Sequence, residues 1–332
     1  MKAFVLTLLL AAALSSARRV GDRAETAFLL LSPSPSRREK ALTSRRMIDW
    51  EYFKTFGRKK TRREIFWDEM KKSIPKFKKL PRIQEYVKYA SGQYGSMVPV
   101  VAPFHEPSTE FVPGLTAQPW WDPSQFPWIS KLEENVETIQ EELETALKNP
   151  GEFSFASDSA YSTTMGSGWS SIRLQRFGEW REENTAKFPK TTALLRDLNV
   201  PFAPRGVMFA RQVPQTGVGR HSDGLNFILT LHLGLRVPKD LCSMKVGEEE
   251  WKKWEDGKSL VLDTSFVHET RNESPDSDRL VLIVDFWHPE LTDEEREALQ
   301  FVYFRGNQYD RKLIEGLQQP GGAVPQGSTA RR

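Results

Sequence analysis

Residues 227–237, Phe-Ile-Leu-Thr-Leu-His-Leu-Gly-Leu-Arg-Val, and residues 280–287, Leu-Val-Leu-Ile-Val-Asp-Phe-Trp, decide how this chain folds. Both are apolar, rich in strand-forming residues and bounded by turn formers, so both read as buried strands. Working outward, Ile172 to Phe177, Val207 to Val213 and Ser259 to Leu262 are further short runs of the same kind. Turns such as Glu255-Asp256-Gly257 and Asn272 through Asp278 separate them. One helix is expected to interrupt, from about Trp180 to Leu198. Many short strands with few crossover helices predict a mainly β fold with flanking α-helices, a sandwich or jelly roll. Upstream, Ser130 to Leu147 reads as a single helix capped by Ser130, with Leu132, Val136, Ile139 and Leu143 at helical spacing. Downstream the chain leaves the sheet through Pro289, and Thr292-Asp293-Glu294-Glu295 forms a capping box that opens a final helix.

The 332 residues, 39% of them hydrophobic, suffice for one full domain with extra segments at the ends. A formal net charge of +3 gives no reason to expect a nucleic-acid partner. The single cysteine, Cys242, excludes intrachain disulfides and thiolate-cluster metal sites, and reads as a small core residue. Any metal must therefore be held by carboxylates and by some of five histidines. At the N-terminus, Lys2, an apolar run from Ala3 to Leu14 and Ser15-Ser16-Ala17 read as a signal peptide over 1–17. That run is short for a bilayer core of about 30 Å, so no stable membrane span is expected once it is cleaved. Residues 18–46 are Arg- and Ser-rich, a transit-like or disordered segment. Together these stretches predict entry into the secretory pathway, to a secreted or luminal place or, by a two-part presequence, to a plastid.

Residues 47–114 form a basic helical and Pro-rich region. Between 51 and 88 there are 13 Lys/Arg against 5 Asp/Glu, interleaved with aromatics. That pattern suits an anionic partner, but no base-stacking module accompanies it. Amphipathic helices broken at Pro75 and Pro81, with solvated basic faces, are the expected reading. Residues 115–305 hold the catalytic pattern, and 306–332 read as a disordered tail.

The chemistry begins at His221-Ser222-Asp223. On an extended segment, residues two apart share a face, so one imidazole and one carboxylate can converge on a single ion. His268, after the apolar strand through Leu262, supplies a third ligand. Two histidines and one carboxylate leave open positions, the pattern of non-haem Fe(II) that handles O2 beside a bidentate cosubstrate. Arg279 follows His268 closely enough for a turn and a return along the neighbouring strand. Its planar fork would take a carboxylate there, the alternative being an internal pair with Asp285. His232 reads either as a core histidine or as a cosubstrate contact. His288 is expected to close its strand by hydrogen bonding, and His105 to lie at the surface.

The ordered series Val218-Gly219-Arg220-His221, His232-Leu233-Gly234-Leu235, Ser265-Phe266-Val267-His268-Glu269, Arg279-Leu280 and Trp287-His288-Pro289-Glu290-Leu291 resembles the catalytic domain of aspartyl/asparaginyl β-hydroxylases. Pro119-Trp120-Trp121, Trp169-Ser170 and Asn184 extend the resemblance over roughly 115–300. It implies a cupin-like double-stranded β-helix with His221 and His268 as iron ligands and Arg279 and His232 contacting 2-oxoglutarate. It implies further an Fe(II)- and 2-oxoglutarate-dependent dioxygenase that uses O2 to hydroxylate an Asp-, Asn- or Pro-type side chain in a peptide or protein. A free small molecule as substrate, and a non-catalytic jelly-roll binding protein, are the alternatives. Two positions depart from the family pattern. Its best-known animal members have glycine where this chain has Asp223, and arginines just before His232 where this chain has Ile228 and Thr230.

Overall fold

The computed structural model of the chain describes residues 62–73, 77–93, 110–148, 168–303 and 305. The expected signal peptide, transit-like segment and C-terminal tail, and His105, lie outside the described residues. None of the described helices is long and apolar enough to cross a membrane.

Two antiparallel sheets form the centre. The larger runs in the order β1 (Trp120–Trp121), β9 (Ser259–Asp263), β6 (Ile228–Arg236), β11 (Arg279–Trp287), β4 (Phe202–Gln212), β2 (Trp169–Arg176) and β3 (Glu179–Trp180). The smaller runs β5 (Thr216–His221), β10 (His268–Asn272), β7 (Cys242–Val246) and β8 (Lys252–Lys253). From β4 onward the chain passes repeatedly from one sheet to the other, which is the winding of a jelly roll. The mainly β, cupin-like double-stranded β-helix expected from the sequence is the observed fold.

Every residue of β11, and all of β6 except Arg236, is buried. On the outer face, Leu229, Leu231 and Leu233 of β6 and Leu280, Leu282, Val284 and Phe286 of β11 share a core with helix residues Ile129, Leu132, Ile139, Leu143 and Leu195 and with Phe188, just before a helix. The inner face of the same strands carries the alternate residues, among them Thr230, His232, Arg279 and Asp285. Cross-strand register sets Ile283 against His232 and Asp285 against Thr230. Burial on both faces is why these runs read as continuously apolar rather than alternating. It is also why their few polar residues stand out.

The helical boundaries differ from those expected. Ser130 to Leu147 is two helices, α3 (Pro127–Glu134) and α4 (Val136–Leu147), parted at Asn135. Ser130 caps neither of them, because it lies inside α3 with its hydroxyl donating to the carbonyl of Pro127. Pro127 can occupy the first helical turn without losing a hydrogen bond, and so starts the helix three residues earlier. The expected helix from Trp180 to Leu198 is likewise split. Trp180 belongs to β3, then come α5 (Glu182–Thr185) and α6 (Pro189–Asp197), where Pro189 again begins a helix.

The basic N-terminal helices α1 (Arg62–Ser73) and α2 (Pro81–Ala90) bury Trp67, Met70, Ile83, Tyr86 and Val87 against Phe227, Trp287, Leu291, Leu299 and Val302. The capping box is present: Glu295 N donates to Thr292 Oγ1 at 3.2 Å, and Thr292 N donates to the Glu295 carboxylate at 3.0 Å. Arg82 of α2 pairs with that same carboxylate, tying α2 to the start of the closing helix. His288 closes β11 as expected, with Nε2 on the Thr116 carbonyl at 3.0 Å and Nδ1 accepting from Glu290 N.

Strand β4 is irregular near its start. Val284 pairs with Val207 and Phe286 with Phe202, so residues 203–206 of β4 stand opposite the single residue Asp285. This is a multi-residue bulge, a device that re-aims side chains beside functional sites. Pro204 has no N–H to forfeit there. Gly206 has φ +73°, and a Cβ on it would meet the Gln175 carbonyl oxygen at 2.1 Å. Gly206→Ala is therefore expected to destabilise the protein by about 1–3 kcal/mol, the range for a residue forced into a sparsely populated conformation. Urea denaturation of the variant beside the parent measures it.

Candidate active site

Seven strands and two connecting loops converge on a cavity between the sheets, lined among others by Arg205, His221, Asp223, His232, His268 and Arg279. His221 ends β5 and His268 begins β10, and the two are direct cross-strand partners. Their rings lie 4.2 Å apart, centroid to centroid. Asp223 follows two residues beyond His221, just past the end of β5 rather than within it. The adjoining loops are pinned to each other. Asp223 N donates to the Thr264 carbonyl at 2.9 Å, and Ser222 Oγ donates to the Ser265 carbonyl at 2.7 Å. As the sequence predicts, one ligand atom from each of His221, Asp223 and His268 falls within 4.8 Å of the others.

The protonation pattern suits a metal. Nδ1 of His221 lies 2.8 Å from the Gly219 carbonyl, and Nδ1 of His268 lies 2.9 Å from the Phe266 carbonyl. A carbonyl can only accept, so in each ring Nδ1 carries a hydrogen and Nε2 is the nitrogen left for a metal. Nε2 of His221 is buried without a hydrogen-bond partner. Burial pushes the His268 imidazole down to about 4, which keeps it neutral and ready to ligate. Burial alone would raise the Asp223 carboxyl, but the Arg205 guanidinium beside it outweighs that and helps to hold it near 2. Two imidazoles and one carboxylate fit the donor set that Fe(II) takes in non-haem oxygenases.

Arg279 stands across the cavity in the other sheet. Its strand runs between β6 and β4, so it faces the His268 strand across the sandwich and does not return alongside it. The side chain is buried, and Nε and one terminal nitrogen have no hydrogen-bond partner. The Trp254 ring lies 4.4 Å from its guanidinium carbon, a cation–π contact. Burial lowers the guanidinium to about 10, still charged at neutral pH. The alternative pair with Asp285 does not form, because Asp285 accepts from Arg205 and Thr230 instead. His232 stacks parallel to Trp254 at 5.8 Å, with Nδ1 buried and unpartnered. Burial, and then Arg279, lower its pKa well below the ordinary imidazole value. An unpaired buried guanidinium beside an unpartnered neutral imidazole is a receptor for a carboxylate.

Sequence reading did not find Arg205. It extends from the β4 bulge into the cavity, where one terminal nitrogen pairs with Asp223 Oδ2. The other lies 2.9 Å from Thr230 Oγ1, 3.1 Å from Thr264 Oγ1 and 2.9 Å from Asp285 Oδ1. The signal was available in Pro204-Arg205-Gly206, an arginine between two strand-breaking residues at the head of an apolar strand. Cys242 is buried, donating to Asn272 Oδ1 as a small core residue.

Residues 133–289 match the profile of the family described as Aspartyl/Asparaginyl beta-hydroxylase. That segment is similar to the aspartyl/asparaginyl β-hydroxylases, the family that the ordered motifs resemble. The human protein named aspartyl/asparaginyl beta-hydroxylase is 37% identical over 197 residues, 58% of this chain and 25% of its own length. Human aspartate beta-hydroxylase domain-containing protein 2 is 30% identical, over 60% of this chain and 56% of its own. An ornithine lipid ester-linked acyl 2-hydroxylase from Rhizobium tropici is 31% identical, over 52% of this chain and 61% of its own. The chain thus spans a quarter to under two thirds of these relatives.

Asp263, behind the metal loop, is fully buried. Its Oδ1 accepts from Ser265 N and Oγ, while Oδ2 has no partner. Burial raises its carboxyl to about 7. A folded pKa above the unfolded value near 3.8 means stability present below pH 4 that is lost as the pH rises through 7. Asp263→Asn keeps the acceptor without the charge. It is expected to stabilise the protein at pH 8 by about 1–3 kcal/mol, the cost of an unmet buried polar group. At pH 4 the gain should vanish, and thermal denaturation at the two pH values tests both expectations.

Proposed function

We propose that this protein is an Fe(II)- and 2-oxoglutarate-dependent dioxygenase that hydroxylates an amino-acid side chain of Asp, Asn or Pro type in a peptide or protein. The observation that carries the reading is the pairing, in one cavity, of a His–Asp–His donor set with a buried guanidinium that has no acidic partner among the described residues. The family match supports it independently.

In this reading His221, Asp223 and His268 hold the iron, each imidazole aimed by the carbonyl that takes its Nδ1 hydrogen. Arg279 takes the distal carboxylate of 2-oxoglutarate, with His232 beside it. Bound iron, 2-oxoglutarate and O2 supply oxidative decarboxylation to succinate and CO2, with hydroxyl placed into a substrate C–H bond. The chain contributes orientation and exclusion of water. Trp254 covers the guanidinium, and the low pKa of His232 keeps it neutral beside the cation. The apolar leader after Lys2 supports delivery into the secretory pathway.

These assignments carry two expectations. His268→Ala should lose stoichiometric iron in metal analysis, since among the described residues only His221 and Asp223 would remain in the donor cluster. Arg279→Ala should weaken 2-oxoglutarate binding by about 1.5–3 kcal/mol in calorimetry, the range for a hydrogen bond to a charged group. Lys there should restore only part, lacking the planar fork. Succinate release should be stimulated by a member of a panel holding Asp-, Asn- and Pro-containing peptides, free amino acids and acylated lipids. Stimulation by a lipid alone would overturn the peptide assignment. Unchanged 2-oxoglutarate affinity in Arg279→Ala would overturn the cosubstrate site.

A further inference from the structure

Besides Arg279, the cavity is lined by Arg173 and Arg205, neither of which the metal and cosubstrate assignments use. Arg205 divides the Asp223 carboxylate between two neighbours. Oδ2 is held by its guanidinium, while Oδ1 faces the histidines, 3.8 Å from His221 Nε2. We propose that Arg205 is a positioning residue that occupies one oxygen of Asp223, so that Asp223 can offer a metal only the other. The inference rests on the reading that His221, Asp223 and His268 hold iron.

Arg205 is anchored from several sides and cannot follow the carboxylate if it turns. Its second terminal nitrogen is shared among Thr230, Thr264 and Asp285, which come from β6, the loop after β9, and β11. Its own carbonyl accepts from Arg173 Nη1 at 2.6 Å. The bulge that presents it depends on Gly206, whose position no Cβ could share with the Gln175 carbonyl. A guanidinium stays charged at any physiological pH, so the hold on Oδ2 is permanent, and its fork can reach two carboxylates at once.

The consequence is one of coordination number. In an octahedral site two imidazoles, one carboxylate oxygen and a chelating oxo acid leave a single position, which O2 requires. A carboxylate binding through both oxygens would fill that position or displace an arm of the oxo acid. By occupying Oδ2, Arg205 keeps the position open.

The test uses the full chain loaded with Co(II) in the absence of O2, with 2-oxoglutarate affinity read by calorimetry and coordination by the visible spectrum. Arg205→Gln should still bind Co(II), but with an altered spectrum and about tenfold weaker 2-oxoglutarate binding, within the range for residues that orient a ligand. Arg205→Lys should fall between it and the parent. In an Asp223→Gly background, Arg205→Gln should change 2-oxoglutarate affinity no further, because nothing remains to be positioned. Equal weakening in both backgrounds would mean that Arg205 meets the oxo acid directly, and would overturn the proposal. So would an unaltered spectrum and affinity in Arg205→Gln. If Asp223→Gly alone leaves Co(II) affinity and spectrum unchanged, the iron-ligand assignment of Asp223 fails, a separate outcome that removes the proposal with it. Since Arg205→Gln strands the buried Asp285, Arg205→Gln/Asp285→Asn is measured beside it. If neither folds, the Arg205→Lys comparison in the two backgrounds decides by the same criteria.

Discussion

Strands β6 and β11 are covered on both faces, by helices on one side and by the second sheet on the other. The polar side chains of their inner face are almost wholly buried, so each must find a partner or stand ready for a ligand. Thr230 and Asp285 find theirs in each other and in Arg205. His232 and Arg279 keep unpartnered buried nitrogens. The rest of the site depends on this difference, since it separates the groups that build the cavity from those able to receive something in it. An unpaired buried guanidinium costs several kcal/mol, and a protein that keeps one has a use for the charge.

The same double burial explains what the sequence made legible. Runs 227–237 and 280–287 were recognisable as strands because no solvated face interrupts their apolar character, and their polar residues could be singled out for the same reason. The candidate metal cluster was readable because His-x-Asp and a later His are chemically conspicuous among so few histidines. The helix limits were less readable. Leu132, Val136, Ile139 and Leu143 keep their helical spacing across the break at Asn135, so periodicity alone carries no trace of it.

Arg205 was missed because its neighbourhood is a local exception to strand regularity. Ala203 to Gly206 departs from the β4 ladder and then rejoins it, and the residue aimed inward by a bulge does not follow period-two counting. The return path of Arg279 was misjudged for a related reason. The distance in sequence from His268 is right for a hairpin, yet in a jelly roll that connection crosses to the opposite sheet. Chain separation fixes how far a residue can travel and leaves open which layer it enters.

That crossing gives the site a mechanical character. His221 and His268 belong to the four-stranded sheet, whereas His232, Arg279 and Arg205 belong to the seven-stranded one. A small dicarboxylate gripped by Arg279 at one end and by a metal at the other would act as a strut between two layers otherwise joined by packing and loops. Occupancy would then stiffen the whole sandwich across its short dimension. The slowing of amide exchange should extend along β5 and β10, strands that the acid itself would touch only at their tips.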